Sequence, residues 1–113
     1  MAKVVHFEVM GQDAAALGRF YGEAFDWEME DVMGGSYFMA RPDGGIPGGV
    51  GSAQGGEGHV TFYVEVDDPA AALEKIAQLG GRTIQEPMDG PGGPTIALFA
   101  DPEGHVVGLV KGE

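Results

Sequence analysis

The sequence feature that most constrains the fold is a strand, cap and helix segment that occurs twice. In residues 60–81, VTFYVEVDDPAAALEKIAQLGG, apolar and polar residues first alternate as in a strand with one buried face. Asp68 then precedes Pro69, which is the usual order of an N-cap and a first helical residue. Gly80 and Gly81 follow the apolar stripe and supply the left-handed residue that ends a helix. The segment predicts a strand that leads into a helix packed on its apolar face.

The second occurrence lies in residues 4–25, VVHFEVMGQDAAALGRFYGEAF, where Asp13 takes the capping position. The likeness continues downstream, since SYFMARPDG at 36–44 resembles TIALFADPEG at 95–104. A repeat of half the chain indicates a duplicated supersecondary unit rather than a solenoid, which needs several copies. Each half is therefore predicted to have the order βαβββ.

The remaining patterns place the individual elements. Residues 42–58 are predicted to form a crossover that holds only the short fourth strand. Residues 88–94, MDGPGGP, are predicted to form a loop over the sheet, because proline lacks a backbone donor and glycine favours turns. His105 follows Gly104 in the last turn, and we predict that it adopts the left-handed conformation. The predicted helices cover residues 13–25 and 69–79, and the predicted strands cover 3–10, 27–32, 36–41, 47–51, 59–66, 82–86, 95–100 and 105–111.

Length and charge exclude several classes of function. At 113 residues the chain is predicted to be a single domain over 1–113, with module one at about 1–52 and module two at about 58–113. A formal charge of −12 with only 6 Lys and Arg argues against nucleic acid and anionic membrane as partners. The acidity fits either solubility alone or the attraction of a cationic ligand. Without cysteine, a signal peptide or an apolar run near the ~20 residues of a membrane span, we expect a cytoplasmic protein.

Five stretches carry a family resemblance. HFEV, the capped helix with FYGEAFDW, VTFYVEVDD, LGG and FADPEGHVVGLV together resemble the vicinal oxygen chelate superfamily of glyoxalase I, bleomycin resistance proteins and extradiol dioxygenases. The resemblance covers nearly the whole chain. It implies an α+β fold in which two βαβββ modules in tandem form a cupped mixed sheet around a ligand cavity, with the helices outside. It also implies a homodimer.

The resemblance further implies a metal position, which this chain fills poorly. Active members of the superfamily hold one divalent ion through four side chains, one on the first strand and one on the last strand of each module. His6 matches the first of these positions, but the repeat places Thr61, Gly108 and either Gly48 or Gly49 at the others. A zinc site takes three or four protein ligands, so one imidazole does not suffice. We therefore expect no metal and no other cofactor.

Ligand contacts are predicted on the side of the strands that points away from the helices. Glu8 is the candidate for fixing a basic ligand, and its alternative role is an ion pair with Lys or Arg. Glu8 and Glu65 are also the side chains that could replace the lost metal ligands. The two faces of the strand at 36–41 cannot be told apart, because both are apolar. The predicted ligand-binding residues are His6, Glu8, Tyr37, Met39, Thr61, Tyr63 and Glu65, and no catalytic residue is assigned.

These patterns favour a metal-free protein that binds a small molecule, and the sequestration of an antibiotic or toxic compound is the most concrete form of that function. The alternative is an enzyme of the glyoxalase type. It would be a metal-dependent lyase, isomerase or dioxygenase with replacement ligands, or a metal-free isomerase with His6 or Glu8 as the base. A third possibility is a domain that acts by contact with another protein.

Overall fold

Two successive βαβββ runs make up the part of the chain that the structure, a computed structural model, describes, namely residues 2–53, 56–89 and 93–112. The first run consists of β1 (Lys3–Gly11), α1 (Ala14–Phe25), β2 (Met29–Asp31), β3 (Tyr37–Ala40) and β4 (Gly48–Ser52). The second run consists of β5 (His59–Val66), α2 (Pro69–Gln78), β6 (Arg82–Asp89), β7 (Thr95–Ala100) and β8 (Val106–Lys111). The predicted α+β class and the duplicated order of elements are confirmed.

Both helices begin at the aspartate that the sequence predicts. The Asp13 carboxylate accepts a hydrogen bond from the Ala16 amide at 3.0 Å. The Asp68 carboxylate accepts from the amides of Ala70 and Ala71 at 3.1 and 3.3 Å. Each cap satisfies amides that would otherwise lack a partner in the first turn, and such a cap is typically worth about 1 kcal/mol. Neither helix in the described part of the chain is long and apolar enough to cross a bilayer.

The two helices end differently. After α2, Gly80 has a φ of 102°, which is the left-handed conformation predicted for the glycine pair. After α1, the left-handed position is occupied by Asp26, with a φ of 57°. Asp26 is the one residue other than glycine with a positive φ in the described ranges. No glycine follows α1 directly, so its C-terminus has a cap that the sequence pattern did not predict.

The chain forms two compact units. One consists of His6–Thr61, and the other consists of the described residues from Phe62 onward together with those before His6. In the second unit the strand order is β5-β8-β7-β6, with β5 and β8 parallel and the other pairs antiparallel. Its core of Leu73, Ala97 and Leu109 packs against partly buried neighbours that include Val64 and Val66. The apolar face of β5 therefore lies against α2, as the alternation predicts.

In the His6–Thr61 unit the strand order is β2-β3-β4-β1, with β1 and β4 parallel and the other pairs antiparallel. Helix α1 covers one face of this sheet, where a methyl group added at Gly18 would lie 3.2 Å from the ring of Phe38. Neighbouring residues of a strand point to opposite faces, so Tyr37 and Met39 lie on the face away from α1. The structure thus assigns the face that the sequence left open, and we call it the helix-distal face.

The sixth strand differs from its prediction. The sequence predicts that this strand ends at residue 86 and that a loop over the sheet follows, but β6 continues through Pro87 to Asp89. Two register shifts interrupt its pairing with β7, one of them between Gln85 and Met88, and β6 is the last strand of its unit. Proline is tolerated at such irregular edge positions because no ladder hydrogen bond is lost. Residues 90–92 of the predicted loop, like residues 54 and 55 of the predicted crossover, lie outside the described residues.

The prediction of a left-handed His105 is wrong. Gly104 takes the positive φ of the turn, at 91°. The His105 amide instead donates to the Asp101 carboxylate at 2.9 Å, and the His105 Nδ1 atom lies 2.9 Å from its other oxygen. The hydrogen bond with the His105 ring and those from backbone amides lower the pKa of Asp101 below its ordinary value. His105 therefore has a structural role in the turn, through its side chain rather than its backbone conformation.

Candidate functional site

Tyr37 joins two of the predicted ligand-binding residues on the helix-distal face. Its hydroxyl group donates a hydrogen bond to the Glu8 carboxylate at 2.9 Å. The same oxygen lies 3.1 Å from the Nε2 atom of His6. All three residues belong to the His6–Thr61 unit and are half-buried. We refer to them as the His6–Tyr37–Glu8 cluster.

Glycines in β4 allow Tyr37 to reach across the sheet. Strand β4 lies between β3 and β1, so the ring must pass directly over it. A Cβ atom at Gly49 would lie 1.7 Å from the Tyr37 oxygen, and one at Gly51 would lie 2.5 Å from a ring carbon. Both distances are far below van der Waals contact, so any side chain at Gly49 would displace the ring. The Tyr37 ring therefore packs directly against the backbone of β4.

The hydrogen bonds define how protons are arranged in the cluster. Tyr37 has a single hydroxyl proton, which it donates to Glu8, so its contact with His6 requires a proton on Nε2. Burial lowers the pKa of His6, and the nearby charge of Glu8 offsets this effect only in part. The lowered pKa favours the neutral form of His6 at pH 7. Its imidazole N–H, the phenol and the carboxylate form one directed chain of hydrogen bonds.

The second unit repeats the tyrosine-over-glycine arrangement. Tyr63 on β5 is paired in register with Gly108 on β8, as Glu8 is with Gly49. A Cβ atom at Gly108 would lie 2.2 Å from the ring of Tyr63. A side chain on the last strand would thus collide with an aromatic ring in each unit.

The remaining predicted ligand-binding residues lie on β3 and β5. Thr61 is buried, with 9% of its surface exposed. Met39 lies on the helix-distal face opposite Gly49 in register, and Glu65 lies beside Gly112 in the other unit. Of the seven predicted ligand-binding residues, the structure brings His6, Glu8 and Tyr37 together by hydrogen bonds.

The residues at the expected metal positions do not fit a divalent ion. Register places Gly49 opposite Glu8 and Gly108 opposite Tyr63, so these glycines are the equivalent last-strand positions. Neither has a side-chain donor, and a tyrosine ring covers each of them. Within the described ranges, no three His, Asp or Glu side chains are grouped so that they could hold an ion. Zinc, manganese and nickel sites need such a group of donors.

Sequence reasoning missed two features of this unit. The first is the tyrosine that crosses β4, although glycines at alternate positions 49 and 51 signal the close approach of another group. The second is a cavity of about 870 Å³ at the ends of β2 and β3, lined in part by Trp27, Met39 and Arg41. The run FDWEME at residues 25–30, which combines aromatic and acidic side chains, was the available signal for the cavity.

The duplicated βαβββ order, the parallel pairing of β1 with β4 and β5 with β8, and the His6 position define a protein of the vicinal oxygen chelate superfamily. Comparison with known families agrees, since the sequence profile of the glyoxalase-like domain matches residues 6–110. The chain belongs to the glyoxalase-like domain family.

Individual relatives support the family and the fold. The chain is 31% identical over 117 aligned positions to the anthracycline biosynthesis protein DnrV of Streptomyces peucetius. The alignment includes 87% of this chain but only 42% of DnrV, so the chain spans less than half the length of this relative. The structure of methylmalonyl-CoA epimerase from Mycobacterium tuberculosis superimposes with a TM-score of 0.72 at 12% identity. The superposition includes 97% of this chain and 87% of the epimerase chain. The Mn(II)-bound glyoxalase from Novosphingobium aromaticivorans superimposes with a TM-score of 0.71 at 17% identity. This superposition includes 96% of this chain and 38% of the glyoxalase chain. At such low identity the solved structures show the fold alone.

Replacing Gly49 by alanine should destabilise the protein. The new methyl group would overlap the Tyr37 oxygen, so the ring must move and the cluster must break, with an expected loss of about 1–3 kcal/mol in the free energy of unfolding. Urea denaturation would measure the loss, and Gly56→Ala is the matched control because no atom lies within 4 Å of its added Cβ. Combining Gly49→Ala with Tyr37→Ala should cost less than the sum of the single changes. Additive effects would contradict the placement of the ring.

Replacing Glu8 by glutamine should lower the pKa of His6 further. The negative charge of Glu8 raises that pKa, while burial lowers it, so removal of the charge leaves burial less opposed. The chemical shifts of the His6 ring protons as a function of pH would report the change, with Glu74→Gln on α2 as the control. An unchanged or raised His6 pKa in Glu8→Gln would contradict the cluster.

Proposed function

We propose that this protein binds a small organic molecule without a divalent metal, on the helix-distal face at the His6–Tyr37–Glu8 cluster. The observation that carries the proposal is the position of the Tyr37 hydroxyl, which lies directly over Gly49, where a last-strand metal ligand would project. The phenol and its two hydrogen-bonded partners take the place of a metal centre as the polar feature of this face.

The chemistry of the face indicates the kind of ligand. The Tyr37 ring offers an aromatic surface. The terminal methyl group of Met10 lies close to it, since a Cβ atom added at Gly51 would be 2.5 Å from the Tyr37 ring and 3.3 Å from that methyl group. Aromatic rings offer a large contact area to flat apolar ligands, and the flexible, polarizable methionine side chain adapts to their shape. Glu8 accepts hydrogen bonds and carries negative charge, so it would favour a ligand with a hydroxyl or basic amine. A flat, aromatic molecule with such a group is the ligand class that we propose.

Sequestration of an antibiotic or toxic compound is the function that this site suits best, because binding alone is sufficient for it. The relative named for anthracycline biosynthesis makes anthracyclines the first compounds to test. We further propose that the protein acts in the cytoplasm as a homodimer, for which Phe20, 62% exposed on α1, offers apolar surface. A solution molar mass of a single chain, measured by light scattering, would contradict the dimer.

A second candidate function is metal-free isomerisation. The lowered pKa of His6 favours it, since a neutral imidazole is able to take a proton at pH 7. Tyr37 and Glu8 would then orient the imidazole. This candidate requires turnover, which distinguishes it from sequestration.

Calorimetric titration with an anthracycline in the presence of EDTA should give saturable binding at one site per chain. Tyr37→Phe removes the hydroxyl and its hydrogen bonds with His6 and Glu8 while keeping the ring, so affinity should fall about threefold to tenfold. Tyr21→Phe, a matched change on α1, should bind as the unaltered protein does. Chromatography should recover the ligand unchanged.

Three outcomes would go against sequestration at this site. Equal affinities of the two tyrosine variants would remove the cluster from the binding site. Binding that disappears in EDTA and returns with Mn²⁺ or Zn²⁺ would replace the metal-free mode by a metal-dependent one. Conversion of the ligand would favour isomerisation.

A further inference from the structure

The cavity at the ends of β2 and β3 combines aromatic walls with negative charge. It has a volume of about 870 Å³ and lies within the His6–Thr61 unit. Phe25 and Trp27 line it, and their ring centroids are 5.2 Å apart. Met39 also lines the cavity. A cavity of this size is large enough to hold a small organic molecule.

Carboxylates outnumber cations around this cavity. Asp26, Glu28, Glu30 and Asp43 line it together with a single basic residue, Arg41. Arg41 forms an ion pair with Glu30. Among the described residues, no ion pair involves Asp26, Glu28 or Asp43. The cavity therefore has a net negative charge, which attracts a cation.

The side chains favour an organic cation over a metal ion. A metal ion needs several carboxylates gathered at one point, and the described residues contain no such group. An organic ammonium group instead interacts with separated carboxylates and with the face of an aromatic ring, for which tryptophan is the best partner. Trp27 provides this ring, and the apolar wall accommodates the alkyl or aromatic part of the cation.

Asp26 carries local costs that a bound cation would reduce. It caps the C-terminus of α1, where the helix dipole has its negative end and a carboxylate is unfavourable. It also holds a left-handed φ of 57°, which glycine or asparagine adopts more readily. The last turn of α1 contains no basic residue that would balance the charge. Asparagine would suit the fold better at this position, whereas aspartate suits a cation.

We propose that this cavity is a binding site for an organic ammonium cation, with Trp27 as the aromatic contact and Asp26 and Asp43 as the main charged contacts. The cavity lining does not include His6, Glu8 or Tyr37, so this site does not depend on the proposed function. Tyr37→Phe should therefore leave it intact.

Trp27 is the sole tryptophan of the chain, so its fluorescence reports on the cavity directly. Titration with choline should change the emission saturably, whereas the neutral analogue with carbon in place of nitrogen should not. The affinity should decrease as NaCl rises from about 20 to about 300 mM, because salt screens exposed charges. Calcium chloride, titrated at equal ionic strength as a probe for a metal site, should not produce the signal.

The charged contacts are tested by the double change Asp26→Asn and Asp43→Asn. It should weaken choline binding by about threefold to tenfold, which is the range for two exposed ion pairs. The control is Glu57→Gln with Asp67→Asn, which alters the net charge equally at residues outside the cavity lining. Asp26→Asn alone should raise the melting temperature of the unliganded protein while it weakens binding, so a folding defect cannot account for the loss.

The proposal is overturned if the neutral analogue binds as well as choline, or if the control pair weakens binding as much as the cavity pair. It is also overturned if no saturable change in Trp27 emission occurs with choline at low salt. Loss of the signal in Tyr37→Phe would mean that the cavity and the His6–Tyr37–Glu8 cluster form one site.

Discussion

The contact between the Tyr37 ring and the backbone of β4 is the constraint on which the rest of the candidate site depends. The ring reaches His6 and Glu8 because Gly49 and Gly51 leave the surface of β4 bare on that face. On the other face, a Cβ atom at Gly48 would lie 2.2 Å from the ring of Phe7. The glycines therefore allow aromatic rings to lie close against β4 from both sides. A side chain at Gly49 is incompatible with this packing, so a metal ligand and the tyrosine exclude each other.

Duplication explains why a tyrosine ring packs against a glycine of the last strand in both units. Each unit pairs its first strand in parallel with its last strand, and the paired residues Glu8 with Gly49 and Tyr63 with Gly108 are equivalent. In one unit the ring comes from the neighbouring strand β3, and in the other it comes from the first strand itself. The tyrosine that packs on the last strand, β4 or β8, thus comes from a different strand in each unit. The βαβββ order and the aspartate caps are the same in both.

The features that could be predicted from sequence are those with local causes. Asp13 and Asp68 cap their helices because a carboxylate before an apolar stripe satisfies free amides wherever it occurs. The face of β3 could not be predicted, because Tyr37, Phe38 and Met39 are all large and only the position of α1 distinguishes them. The length of β6 depended on a register shift with β7, which no local pattern encodes. His105 was mispredicted because Gly104 already satisfied the turn, leaving the imidazole to bond with Asp101.

The candidate site was predicted in part. The alternation of β1 placed His6 and Glu8 on one face, and the repeat identified the glycines at the last-strand positions. The link between them, through a phenol that crosses a strand, required the register of β1, β4 and β3.

We propose that Tyr37 and its partners stand in place of a metal centre. Elemental analysis of protein purified without an affinity tag or chelator, followed by thermal melting in Mn²⁺, Ni²⁺ and Zn²⁺, tests it most directly. We expect far less than one metal ion per chain and melting temperatures that do not rise with any of the three ions. Metal near one ion per chain, or a rise in melting temperature that is lost in His6→Ala, would contradict it.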